Sequence, residues 1–260
     1  MKAIIVAAGI GSRLGELTKY TPKSLIDVNS QSILERQISI FKKLGISDIT
    51  VIIGPYTEKF TFKNISFIQD KNYLEHDILS SLMLARSIMY DDIIVSYGDV
   101  IFDEQILQPL IDFKDSIGVG TDLNWEKNYV GRKQEEKQEA TTIQIKNNVC
   151  IKIVDGRELA KSKMKNNSKS NDYKKQKLGE FVGLMRLSKR GSSIFIKRYE
   201  ELINSHIGSF HEAPSISQAY FTDMLQELID NDIEILPIPI QGKWCEIDTM
   251  EDLKRAKNMF

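Results

Sequence analysis

The chain is poor in the residues that mark several common function classes. It has two cysteines, three histidines and two tryptophans in 260 residues. Cys150 and Cys245 stand far apart and outside any metal-site spacing. A disulfide framework and a Cys/His metal site are thereby excluded, and a reduced, cytoplasmic setting is expected. His76, His206 and His211 form no nucleophile–base constellation with a serine or cysteine, so local hydrogen bonding is expected of them. No apolar run approaches the roughly 20 residues of a membrane span. The opening "MKAIIVAAG" is shorter than a leader's apolar region and flows into a glycine turn, so no leader is expected. The formal net charge is −1, which argues against nucleic acid as a partner. There is no internal repeat.

What is present is an alternation of strand and helix signals. "KAIIVAA", "DITVIIG", "ISFIQD", "DDIIVSYGDV" and "SIGVGTD" read as strands, most of them buried. Between them, "SILERQISIFKKLG" places Ile33, Leu34, Gln37, Ile38 and Phe41 at helical spacing, with Gly45 as a stop. "ILSSLMLARSIM" and "EQILQPLIDF" are further helices. This rhythm implies a mostly parallel sheet covered by helices on both faces. Later, "ATTIQIK" and "VCIKIVD" flank "NN" as a hairpin, and "EFVGLMRLS" is a strand. "GSSIFIKRYEELIN", "SISQAYFTDMLQELIDND" and "EDLKRAKNMF" are helices, and the prolines of "IEILPIPI" favour an edge strand. Residues 161–177, with seven lysines and one aspartate, read as a solvated loop.

The segment "AAGIGSRLGELTKYTPK" directly follows the first strand. Gly9, Gly11 and Gly15 permit positive φ and close approach of a ligand to the main chain. Exposed N–H groups in such a turn favour phosphate oxygens. Arg13 can fork onto two oxygens of a polyphosphate, and Lys23 adds a compact charge after Pro22. No Gly-Lys-Ser/Thr follows, so this is not a P-loop.

With these residues in place, "AAGIGSRLGELTKYTPKSLIDV" resembles the signature of the nucleotidyltransferases that make sugar nucleotides and CDP- or CMP-linked head groups. "SYGDVIFD" and "WCEIDTMEDLKRA" are similar to that family's two metal-binding elements. The resemblance implies an α/β, Rossmann-like three-layer fold with a mixed, mostly parallel central sheet, as one domain over residues 1–260. It implies nucleotide contacts at Ala7, Ala8, Gly9, Gly11 and Ser12, and catalytic roles for Arg13 and Lys23. It also implies Mg²⁺ on Asp99 and Asp248. The residues agree: Asp99 ends a buried strand, where α/β sheets bind ligands, and Mg²⁺ takes one or two carboxylates plus substrate phosphates. An N-cap role would serve Asp248 equally well, although Thr249 is available for it. Asp103 and Glu246 are nearby but less favoured.

"NYLEHDILSSLMLA" replaces the Gly-Thr-Ala stretch of the sugar branch and is similar to cytidylyltransferases for phosphocholine and phosphonates. "DLNWEKNYVGR" and "GEFVGLMRLSKRG" resemble phosphonate-branch elements, although Asn124 stands where that branch has an aspartate. The resemblance implies an enzyme that transfers CMP from CTP to 2-aminoethyl- or 2-hydroxyethylphosphonate, acting as a monomer or homodimer. The alternatives are phosphocholine and sugar-1-phosphate acceptors. A non-catalytic nucleotide sensor would have lost Arg13, Lys23 or a metal aspartate, and all are present. Ser80 and Ser81 can hydrogen-bond the base or ribose, or cap their helix. Trp125 and Tyr129 can wall the acceptor pocket or belong to the core. Arg132 can hold a phosphonate bidentately. Glu180, in an otherwise apolar strand, calls for a cationic partner: Lys23 or a substrate amine. Asp223 is a weaker candidate for that amine. A second substrate lysine is either Lys152 or Lys161.

Overall fold

The computed structural model describes residues 1–130, 132, 137, 140–154 and 177–260. Among the described residues the strands are β1 (Lys2–Ala7), β2 (Ile49–Ile53), β3 (Ser66–Gln69), β4 (Ile93–Tyr97), β5 (Val100–Phe102), β6 (Ile117–Asp122), β7 (Thr142–Lys146), β8 (Val149–Val154), β9 (Lys177–Leu187), β10 (Leu236–Pro239) and β11 (Trp244–Glu246). The α-helices among the described residues are α1 (Ile33–Lys43), α2 (Ile78–Met83), α3 (Leu107–Asp112), α4 (Lys189–Ser205), α5 (Phe221–Asp230) and α6 (Met250–Met259).

The main sheet runs β10-β6-β9-β4-β1-β2-β3. Its pairs are parallel except at β9, which runs against both β4 and β6. β7 pairs with β9 and with β8, and β11 pairs antiparallel with β5 apart from the main sheet. Strand β1 shows why three layers form. Ile4 and Val6 pack on one face with Leu79, Leu82, Phe195 and Phe221 from α2, α4 and α5. Ala3, Ile5 and Ala7 pack on the other with Leu34, Phe41, Leu107 and Leu110 from α1 and α3. A strand buried on both faces reads as a continuous apolar run, as "AIIVA" does.

Local signals behave as their chemistry requires. Ser32 caps α1 in a reciprocal capping box with Glu35, and Gly45 takes φ 82° just beyond the helix. Asn147 and Asn148 both adopt positive φ between β7 and β8, as a two-residue hairpin turn demands. β10, with Pro237 and Pro239, lies at the sheet edge. The helix read at 104–113 is split into a 3₁₀ turn, Glu104–Ile106, and α3. Lys177 belongs to β9; the rest of the lysine-rich 161–177 segment, Lys161 included, lies outside the described residues. Among the described residues no helix is long and apolar enough to cross a membrane.

Candidate active site

Parallel register brings the chemistry to one edge. Val6 and Tyr97 are partners at the C-terminal ends of β1 and β4, and Gly98 N–H donates to the Val6 carbonyl at 2.8 Å. The glycine turn after β1 therefore lies beside Asp99. Gly98 has no room for a side chain: a Cβ there would sit 2.7 Å from Ala7 Cβ. The β5–β11 pair then sets Glu246 opposite Val100, and Ile247 N–H donates to the Asp99 carbonyl at 3.0 Å. Leu14, Ile101, Ile247 and Leu253 share a small apolar cluster that binds turn, strand pair and α6 together.

Four charged groups meet there. Lys23 is buried, with its Nζ 2.6 Å from Asp99 Oδ2 and also donating to Asp248 Oδ1. Arg13 Nη2 reaches the same Asp248 oxygen at 2.9 Å. Gly11, at φ 66°, makes this possible, since a Cβ there would fall 2.9 Å from Lys23 Cβ. Gly9, in contrast, is not in the left-handed region. Burial opposes the charge on Lys23, but Asp99, Asp248 and Glu246 outweigh it and raise the ammonium's pKa. Burial would lift Asp248 as well; Lys23 and Arg13 hold it below the usual carboxylate range.

Asp99, Glu246 and Asp248 each offer an oxygen within 4.8 Å of the others. Glu246 was the less favoured acid in the sequence, whereas Asp103 is placed elsewhere, accepting from Lys243 N–H at 3.0 Å. Glu246 is exposed at the margin of the cluster; crowding by its neighbours, then repulsion from Asp99 and Asp248, pushes its pKa up. Asp99 Oδ1 is buried without a hydrogen-bond partner. Three converging hard oxygens and one orphaned buried oxygen suit a divalent cation. Thr249, not Asp248, caps α6, accepting from Asp252 N–H, so Asp248 is left for the cluster.

Gln37, read as one position in an apolar stripe, has a distinct job. Its amide donates to the carbonyls of Tyr97 (2.8 Å) and Val100 (2.6 Å) and accepts from Ser96 Oγ (2.9 Å). It thus grips both sides of the Gly98–Asp99 turn from α1.

A second carboxylate region adjoins the first. Glu180 is not paired with Lys23, whose partners are Asp99 and Asp248; Tyr129 O–H donates to Glu180 Oε1 instead. Glu180 is 3% exposed, and its Oε2 has no hydrogen-bond partner. Burial pushes its pKa up to about 8, partly offset by Tyr129, with Asp122 adding repulsion and Arg132 opposing it. Trp125 packs edge-on to Tyr129 at 5.8 Å, and the Arg132 guanidinium stacks over Tyr129 at 4.4 Å while reaching Asp252 at 3.4 Å.

The remaining candidates are placed as follows. Ser80 Oγ donates to the Ser217 carbonyl (3.0 Å) and Ser81 Oγ to Asp70 Oδ2 (2.6 Å), so both protons are engaged locally and neither serine caps α2. Asp223 is drawn into the N-terminus of α5, accepting from Tyr220 N–H (2.7 Å) and Glu212 N–H (3.2 Å), which a backbone cap explains without a substrate. Lys152 sits on β8 opposite Gln144. The histidines make local contacts, with Asp70, the Ser209 carbonyl and Glu227.

Comparison with known proteins agrees with this geometry. Residues 3–119 match the model of the MobA-like NTP transferase domain. The chain is 30% identical to CTP:phosphoglutamine cytidylyltransferase of Campylobacter jejuni, over 98% of both chains. It is 35% identical to 2-aminoethylphosphonate cytidylyltransferase of Lancefieldella rimae over 41% of this chain and 46% of that one. In fold it is similar to CTP:phosphocholine cytidylyltransferase from Streptococcus pneumoniae, with a TM-score of 0.70 at 18% identity, covering 99% and 97% of the two chains. Strand order, the glycine turn and an identity sustained along nearly the whole chain converge: the protein belongs to the nucleotidyltransferase family, with cytidylyltransferases among its relatives and a MobA-like NTP transferase domain matched over residues 3–119.

Proposed function

We propose that the protein transfers CMP from CTP to a small acceptor carrying a phosphate or phosphonate and an amine, with Mg²⁺ and release of pyrophosphate. The observation that carries this reading is Lys23, seated between Asp99 and Asp248 at the mouth of the glycine turn, with Arg13 alongside. An acceptor oxygen forms a bond to the α-phosphorus as the bond to the bridging oxygen of the pyrophosphate breaks. Both reactants are anions, so positioning and charge neutralisation dominate. The acceptor is already ionised at neutral pH and needs no protein base.

Main-chain N–H groups of Gly9, Gly11 and Ser12 face the triphosphate, and Ala7 and Ala8 lie by the base. Arg13 holds the leaving β- and γ-phosphates. Lys23 turns from the aspartates to the α-phosphate and the incoming oxygen. Asp99 and Asp248, with Glu246 beside them, would hold Mg²⁺, which supplies Lewis-acid stabilisation of the reacting phosphate. Ser80, its proton engaged by Ser217, presents lone pairs; the N4 amine of cytosine donates there and the O4 of uracil does not.

On the acceptor side, Arg132 takes the oxyanion and Trp125 and Tyr129 wall the pocket. The free oxygen of Glu180 receives the amine. The sequence resemblance points to 2-aminoethyl- or 2-hydroxyethylphosphonate, while a relative matched over 98% of its length is named for phosphoglutamine. 2-Aminoethylphosphonate and phosphoglutamine both pair an oxyanion with an amine, and Glu180 disfavours the hydroxyethyl analogue. The test is pyrophosphate release with CTP, UTP, ATP and GTP against 2-aminoethylphosphonate, phosphoglutamine, phosphocholine, 2-hydroxyethylphosphonate and glucose-1-phosphate. CTP with an amine-bearing acceptor should lead. Turnover confined to glucose-1-phosphate would overturn the reading.

A further inference from the structure

We propose that Asp122 is a positioning residue that locks the acceptor-binding loop to the strand bearing the acidic cluster, through a hydrogen bond from Trp244. This rests on the acceptor pocket proposed above. Asp122 ends β6 and is 8% exposed. It contacts neither the cluster carboxylates nor Lys23 in any hydrogen bond of the described residues. Its oxygens instead collect three donors from two places. Oδ1 accepts from Asn124 N–H at 2.7 Å, and Oδ2 accepts from Asn128 Nδ2 at 3.0 Å and from Trp244 Nε1 at 2.9 Å.

The first two donors belong to the loop that carries Trp125 and Tyr129. The third belongs to β11. Side chains alternate along a strand, so Trp244 and Glu246 share a face, and Asp248 follows two residues on. One carboxylate thus fixes both the wall of the acceptor pocket and the approach of the acidic strand. Asp122 is also the register partner of Glu180 across β6 and β9. Its negative charge and its loop contacts set the surroundings of the group that receives the amine. The two carboxyl oxygens accept from all three donors, whereas an asparagine would present an N–H₂ to one side.

Two variants attack the same bond from opposite ends. Trp244→Phe removes the indole N–H and one ring while keeping an aromatic side chain in place; Asp122→Asn removes the charge and one acceptor. Steady-state kinetics with CTP and 2-aminoethylphosphonate or phosphoglutamine, whichever the wild type uses, reads the result. Each variant should raise the acceptor's KM about tenfold, as loss of one hydrogen bond to a charged group allows. The KM for CTP should stay within about twofold. The double variant should be within about twofold of the worse single variant, because both remove one shared interaction. A residue that merely supports the fold would lower the active fraction and leave that ratio of KM values unchanged. Wild-type acceptor KM in Trp244→Phe, equal rises for CTP and acceptor, or additive effects in the double variant would each overturn the proposal. If Asp122→Asn does not fold, Trp244→Phe decides alone. A wild type that releases no pyrophosphate from CTP with any acceptor would instead defeat the cytidylyl reading itself.

Discussion

The region of the glycine turn and the region around Glu180 handle buried charge in different ways. On the first, Lys23 and Arg13 face Asp99 and Asp248 in a mutually compensated group. On the second, Glu180 is buried with one oxygen unpartnered and a raised pKa, which the Tyr129 proton and the Arg132 charge offset only in part. Compensated charge holds a shape in the absence of ligand. Uncompensated charge costs stability and is repaired when a cation arrives. Under the function proposed above, the first arrangement suits a constant part of the reaction, the triphosphate, and the second suits selection among acceptors.

That contrast is broken most severely at the acidic cluster. Asp99→Asn and Asp248→Asn should each lower kcat by about a hundredfold or more with the fold retained, because each removes a charge from the reacting phosphate's surroundings. Circular dichroism and turnover at limiting Mg²⁺ check this. Near-normal turnover in either variant would remove that residue from the site.

Arg13→Ala comes next. Its proposed partners are the β- and γ-phosphates, so calorimetric affinity for CTP should fall about tenfold or more while that for CMP changes little. Equal losses for both nucleotides would place Arg13 elsewhere.

Glu180 sharpens the comparison through pH. Its pKa is raised to about 8, so in the free enzyme it is protonated below that value and becomes a carboxylate above it. An alkylammonium acceptor stays charged to about pH 10. The acceptor's kcat/KM should therefore rise through about pH 8, where the ligand-binding carboxylate forms, while that for CTP stays level. Glu180→Gln should flatten the rise and lower the plateau. For stability the sign is reversed. A carboxylate with a raised folded-state pKa favours folding at low pH, and that contribution is lost as pH climbs through about 8. Glu180→Gln should hence unfold at a higher temperature than wild type at about pH 9, by thermal melting.

The smallest effect is expected at Gln37. Gln37→Leu strips donors from the Tyr97 and Val100 carbonyls, costing about 1–3 kcal/mol of stability by denaturant titration. An unchanged midpoint would show that water replaces the amide.

The two sides also differ in how far the sequence reveals them. Much that depends on neighbouring residues was legible: the helix face of Ile33, Leu34, Ile38 and Phe41 with its stop at Gly45, the paired asparagines of the hairpin, the prolines of the edge strand. The glycine turn with Arg13 and Lys23 was legible because one short segment carries all its groups. The place of Glu246 beside Asp99 and Asp248 was not legible because it depends on β11 pairing with β5, which no local pattern encodes. Gln37 passed as a core position because its spacing is that of a buried face, and only the structure shows backbone carbonyls waiting there. Glu180 was rightly read as buried, and of the two partners considered, Lys23 or a substrate amine, the structure removes Lys23. Tyr129, 51 residues away, reaches it through a fold contact with no sequence period. The strand containing Glu180 also begins earlier than its apolar stretch, at Lys177, since pairing with β7 extends it.

The most direct measurement is phosphorus NMR of the purified protein with CTP, Mg²⁺ and an equimolar pair of acceptors, 2-aminoethylphosphonate and phosphoglutamine. The expected result is loss of CTP matched by inorganic pyrophosphate and by a new CMP-linked anhydride whose two phosphorus signals couple to one another. CTP left intact, or CTP broken down to CMP and pyrophosphate with both acceptors untouched, would contradict it.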